Sequence, residues 1–218
     1  MILRINEFEA KKLIVLIYIV GSLGFSFKFS LDFFQYLTPF TLIFTIYLLF
    51  KFHQDTIKAK EIAVFAFVYL FSYFIEVAGV QTGVIFGNYH YGIGLGPKLF
   101  DTPLMIGINW LYLSYITASI AQKLININWL IKVAFASSLM VLYDFVVELV
   151  ADFLGMWYWQ NNSIPFQNYL VWFFVSFVIQ SVFHFAKIKF SNPLSFLVYL
   201  SQMLFLIIVF LVKFFIYD

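Results

Sequence analysis

The chain has no cysteine. Disulfides, thiolate nucleophiles and cysteine-ligated metals are therefore excluded. Charge is also scarce: Asp, Glu, Lys and Arg make up 11 % of the residues, less than half the ~25 % of a soluble domain. The net charge of +2 is dispersed, with no basic stripe, so nucleic acid is not an expected partner. No glycine-rich loop of the nucleotide-phosphate kind is present, and no Asp-rich pair that would hold a diphosphate through magnesium. His53, His90 and His184 are scattered, which argues against a zinc or non-haem iron site. Lys213 is too near the end of the last apolar run to carry a retinal Schiff base. Lys11 and Lys12 precede an apolar run as in a signal peptide, but no small-residue cleavage site follows, so the run reads as a retained first helix.

What the chain has is apolar length. Hydrophobic residues make up 63 % of it, and the mean hydropathy is +0.94. Uncharged runs extend from Phe33 to Phe50, Thr102 to Gln122, Phe153 to Ala186 and Phe190 to Val212. About 20 apolar residues cross a bilayer core as a helix. The pattern predicts an all-α polytopic membrane protein, a single integral domain over residues 1–218. Seven spans are expected, near Leu13–Phe29, Phe33–Phe50, Ile62–Val80, Pro103–Gln122, Leu130–Val150, Pro165–Ala186 and Leu194–Phe215.

Seven spans put the termini on opposite faces. The N-terminal face then receives Arg4, Lys11, Lys12, Lys51, Lys58, Lys60, Lys123, Lys132, Lys187 and Lys189, and the other face only Lys28, Lys98 and Lys213. The positive-inside rule makes the N-terminal face cytoplasmic. The expectation is an inner-membrane protein with its C-terminus outside.

Two segments on the outer face break the apolar monotony. Gly79–Phe100 holds six of the ten glycines, and Asp152–Asn168 sets Trp157, Tyr158 and Trp159 between a glycine and a polar run. Such stretches suit re-entrant or interfacial loops, although Trp and Tyr also favour the membrane interface for their own sake. At an offset of 68, Glu76 matches Asp144, Gly87 matches Gly155, Tyr89 matches Trp157, Tyr91 matches Trp159 and Pro97 matches Pro165. An internal repeat would explain this, with residues 62–186 as the catalytic unit.

Three acids fall inside the expected spans. Glu76 lies near the outer end of the third, while Asp144 and Glu148 share one face of the fifth. An ionisable group in a span costs ~2.5–3.5 kcal/mol on insertion scales, and only Lys98 is near enough in sequence to pair with one. Burial disfavours charge, so at least one carboxyl is expected to be neutral at neutral pH. Carboxyls that share a site separate into an acid and a base. The plainer reading is structural, with acids that cap loop amides or join helices.

Glu76, Thr82, Gly83, Phe86, Gly87, Tyr89, Pro103, Asn109 and Trp110 form one set of marked positions. Tyr143, Asp144, Gly155, Trp157, Trp159, Pro165, Asn168, Tyr169 and Trp172 form a second. Over these roughly 100 central residues the chain resembles the carotenoid biosynthesis protein family of membrane carotenoid 1′,2′-hydratases. The resemblance implies hydration of the terminal C=C bond of an acyclic carotenoid to a tertiary alcohol, without cofactor or metal. Related chains use lycopene, gamma-carotene or a bacterioruberin precursor. On this reading Asp144 is the acid, Glu76 its partner and Glu148 the base that positions water. Tyr89, Tyr91, Trp157 and Trp159 line the polyene end, where aromatic faces stabilise a cation by ~0.5–2 kcal/mol each. Trp110 and Trp172 complete the lining, and Asn109 and Asn168 orient water or the acids. The partners are a lipid-soluble carotenoid and membrane lipid, and a homo-oligomer is left open. Competing readings are a carotenoid end-group cyclase, a non-catalytic carotenoid- or lipid-binding protein, and a proton-coupled transporter. The last would spread its acids across the membrane, whereas these lie on one side.

Overall fold

A computed structural model describes residues 5–217. Seven helices account for most of them: α1 (Glu7–Ser26), α2 (Leu31–Lys51), α3 (Ala59–Thr82), α4 (Leu104–Leu124), α5 (Trp129–Glu148), α6 (Phe166–Phe185) and α7 (Ser195–Val212). All but α1 are long and apolar enough to cross a membrane. The first turns of α1 carry Glu7, Glu9, Lys11 and Lys12, too much charge for the hydrocarbon core. It begins six residues earlier than the uncharged run suggests. Asn6 caps it, accepting from the Glu9 amide while the Glu9 carboxylate accepts from the Asn6 amide. Arg4, one of the ten basic residues assigned to the N-terminal face, lies outside the described residues.

The chain is an all-α polytopic membrane protein, and its surface follows from that solvent. On α2, Phe33, Tyr36, Phe40, Ile43 and Tyr47 recur at helical spacing and are all exposed. Such a stripe is at home against lipid tails. Inside, hydroxyls bond back into their own helices: Ser22 to the Tyr18 carbonyl, Ser72 to Val68, Thr117 to Leu113 and Ser137 to Val133. Helix α4 is the axis. From Met105 to Ala121 every residue except Ile108 is buried, and α2, α3, α5, α6 and α7 all pack around it.

The two glycine- and aromatic-rich segments meet in a short ribbon. Strand β1 (Tyr89–Tyr91) pairs antiparallel with β4 (Trp157–Trp159), in the register Tyr89 with Trp159, His90 with Tyr158 and Tyr91 with Trp157. Two further amides extend the pairing, Gly92 N to Met156 O at 2.8 Å and Gln160 N to Asn88 O at 2.9 Å. The approach is close enough to demand glycine. A Cβ on Gly94 would lie 2.9 Å from the Gly155 carbonyl oxygen and press on that of Leu154. Between the two ribbon strands in sequence, β2 (Lys98–Leu99) and β3 (Thr102–Pro103) form a hairpin that runs directly into α4. Its turn residues Phe100 and Asp101 both have positive φ, 54° and 59°, as a tight turn matched to strand twist requires.

Candidate active site

The ribbon lies over the C-terminal ends of α3 and α5 and brings its aromatic donors onto the acids. Tyr89 and Tyr91 both donate their hydroxyls to Oε2 of Glu76, at 2.6 and 2.7 Å. Trp110 of α4 donates Nε1 to Oε1 of the same carboxyl at 2.8 Å. Trp157 and Trp159 both donate Nε1 to Oε2 of Glu148, at 3.1 and 2.8 Å. Asn168 of α6 bridges α5 with one amide nitrogen, 2.8 Å from Asp144 Oδ2 and 3.3 Å from Glu148 Oε1. Burial first, then the neighbouring Glu76 charge, pushes both ribbon phenols well above their ordinary pKa. Tyr89 and Tyr91 therefore stay protonated and serve as donors.

The three carboxyls are buried and none belongs to an ion pair among the described residues. Lys98 does not reach them; its ammonium is bonded to the Tyr91 carbonyl. Their surroundings differ. Each of Glu76 and Glu148 accepts three hydrogen bonds. Among the described residues Asp144 accepts only one, and its Oδ1 is buried with no partner.

Glu76, Asp144, Glu148, Tyr89, Tyr91, Trp157, Trp159, Asn168 and Trp172 enclose one small cavity of about 20 Å³. Phe86 and Ile106, which the sequence reading did not single out as site residues, complete its wall. About 10–15 Å³ suffices for one water, so this space takes a water and not a hydrocarbon. Trp110 and Trp172 stack beside it with ring centroids 4.0 Å apart.

A second cavity, about 330 Å³, is walled by α1, α2, α4, α5, α7 and the stretch before β4, and its lining is mostly apolar. The exposed Leu16 and Val20 of α1 and the half-buried Leu37 and Thr41 of α2 stand at its lipid side. Helices α1, α2 and α7, which lie outside residues 62–186, thus contribute walls to this cavity. Asn109 is found in this cavity, not beside the acids; Trp157 alone lines both cavities.

These features make up a candidate site in which buried carboxyls, aromatic faces and a water-sized space adjoin an apolar chamber. The sequence model of the family described as "Carotenoid biosynthesis protein" matches residues 36–217, and the chain belongs to that family. It is similar to the bisanhydrobacterioruberin hydratase of Haloarcula japonica, with 28 % identity over 124 residues. That match covers 54 % of this chain and 42 % of the relative, so the chain spans less than half of that protein's length. No solved structure matches it.

Proposed function

We propose that the protein is a carotenoid hydratase that adds water across the terminal C=C bond of an acyclic carotenoid end. The observation that carries this reading is buried Asp144, which lines a space for one water beside Glu148 and whose Oδ1 has no partner among the described residues. The relative from Haloarcula japonica, named a hydratase, supports it.

The chain end enters the larger cavity from the lipid, while the rest of the polyene remains outside. At about 330 Å³ the cavity lies at the small end of the ~300–1,000 Å³ range of ligand pockets, which suits one end of a long chain. Trp157 forms the wall between the two cavities, so its indole swings aside for the alkene to reach Asp144. The carboxyl O–H of Asp144 protonates the less substituted alkene carbon; the π pair forms the new C–H bond and leaves a tertiary cation. The faces of Trp157, Trp159, Tyr89 and Tyr91 stabilise that charge. The water oxygen then bonds to the cation and releases a proton to Glu148, and proton exchange between Glu148 and Asp144 resets the pair. Glu76, saturated by three donors, fixes the ribbon and acts as a positioning residue. The positive-inside bias supports a cytoplasmic N-terminus, and with it chemistry in the outer half of the membrane.

A cyclase would begin with the same cation, but it must fold the chain into a ring at the acid. The small cavity beside Asp144 favours water capture instead. The test is expression in cells that make the acyclic carotenoid, followed by pigment mass analysis. Wild type yields product heavier by one water, and Asp144→Asn yields unconverted substrate. Ring-closed product of unchanged mass would assign a cyclase, and unaltered pigment bound by wild type would assign a binding protein.

A further inference from the structure

Asn109 is only 6 % exposed, and its carboxamide makes no hydrogen bond among the described residues. What exposure it has is to the larger cavity, whose wall it forms. Tyr143 lines the same cavity. It lies five residues before the outer end of α5, and Asn109 lies five residues after the outer start of α4, so the two stand at similar depth on neighbouring antiparallel helices.

The hydroxyl of Tyr143 ends a hydrogen-bonded chain. Tyr112 donates to Oε1 of Gln202, which leaves the Tyr112 oxygen to accept from Tyr18 at 3.4 Å. Gln202 Nε2 in turn donates to the Tyr143 oxygen at 2.8 Å. The Tyr143 proton then has no acceptor among the described residues. The buried wall of an otherwise greasy chamber therefore presents the free O–H donor of Tyr143 and a carboxamide with both functions unused, while the hydroxyl of Thr38 lies at the half-buried margin. Two such groups in apolar walls are costly when empty-handed and specific when engaged. A pure hydrocarbon would leave both unpaired, whereas a branched chain with a single hydroxyl would satisfy both.

We propose that Asn109 and Tyr143 form a seat for the tertiary hydroxyl of an isoprenoid chain end. This rests on the hydratase reading, for which that alcohol is the product. It makes the larger cavity, through which the alkene end enters, also the chamber that receives the product, with Tyr143 donating to the hydroxyl oxygen and Asn109 accepting the hydroxyl proton. The two residues set which end groups are retained and do not act on the reacting carbons.

The test is binding to the full chain in lipid nanodiscs, corrected for partitioning into empty discs. The probes are tetrahydromyrcenol, a branched tertiary alcohol, and its parent alkane, with competition followed through tryptophan fluorescence. Wild type should prefer the alcohol by about five- to tenfold, as one or two neutral hydrogen bonds allow. Asn109→Leu and Tyr143→Phe should each lose most of that preference while still binding the alkane, which verifies an intact cavity. Asn109→Ser, which keeps a donor and an acceptor, should retain part of it. Equal binding of both probes by wild type, or a preference untouched by both substitutions, would overturn the seat. Hydration by a protein with no alcohol preference rejects the seat and leaves the hydratase reading standing. Alcohol preference without hydration supports the seat and rejects that reading.

Discussion

Asn168 holds Oδ2 of Asp144 at 2.8 Å, while Oδ1 of the same carboxyl, at the edge of the water-sized cavity, has no partner among the described residues. This one amide gives the two oxygens of a buried carboxyl different tasks. Asn168→Leu should therefore cost turnover while leaving the fold intact. About 10–100-fold is expected from lost orientation, against roughly 10²–10⁴-fold for Asp144→Asn, which removes the acid itself. Rates of alcohol formation in membranes, normalised to protein, check the ranking. Equal losses from both variants would refute a positioning role for Asn168.

Glu76 should matter more to stability than to chemistry. Glu76→Leu leaves the Tyr89, Tyr91 and Trp110 donors without their shared acceptor, and each unsatisfied buried group costs ~1–3 kcal/mol. Thermal unfolding in detergent should show a large destabilisation. Tyr91→Phe removes one bond of the three and should cost about 1 kcal/mol.

Gly94→Ala tests the ribbon without touching an acid. Its added methyl meets the Leu154 and Gly155 carbonyl groups, which are backbone and cannot turn away. Overpacking of this kind costs about 1–3 kcal/mol. The expected result is lower thermal stability and lower turnover together, since the ribbon carries four of the donors to Glu76 and Glu148.

Alkaline titration should find the ribbon tyrosines resistant to ionisation. Tyr89 and Tyr91 have folded pKa values raised by burial and by Glu76, whereas in an unfolded chain they ionise near the ordinary value of about 10. Their contribution to stability is therefore intact below pH ~10 and is lost as pH rises above it toward the folded value. Tyrosinate absorbance should show them among the late-titrating phenols. Replacing both with Phe should flatten the decline of stability at high pH.

The helices were legible because they are long apolar runs with little charge; the expected and observed bounds of α2 to α6 agree within three residues. The start of α1 was not, because its capping box lies among charged residues outside the apolar run. The ribbon was only half legible. Tyr-x-Tyr and Trp-x-Trp marked its strands, but strands of three residues carry too little alternation to announce a partner 68 residues away. That offset also pairs Glu76 with Asp144, while the hydrogen bonds pair it with Glu148, since each glutamate takes two donors from its own aromatic strand. A better signal was the glycine seven residues after each glutamate, Gly83 and Gly155, both at φ 65°. Asn109 was misplaced for a geometric reason. Successive helix residues point about 100° apart, so Trp110 reaches Glu76 while its neighbour faces the other cavity.

The pairing of β1 with β4 also imposes an order on biosynthesis. Tyr89 has no partner strand, and Glu148 neither of its indoles, until the ribosome has passed Trp159. Five helices precede that residue, and two of them carry acids that are expensive in lipid. A nascent chain halted before Trp157 would thus hold Asp144 and Glu148 in the bilayer without their shield, a natural substrate for membrane quality control. The same ribbon that organises the site when finished leaves the unfinished protein exposed.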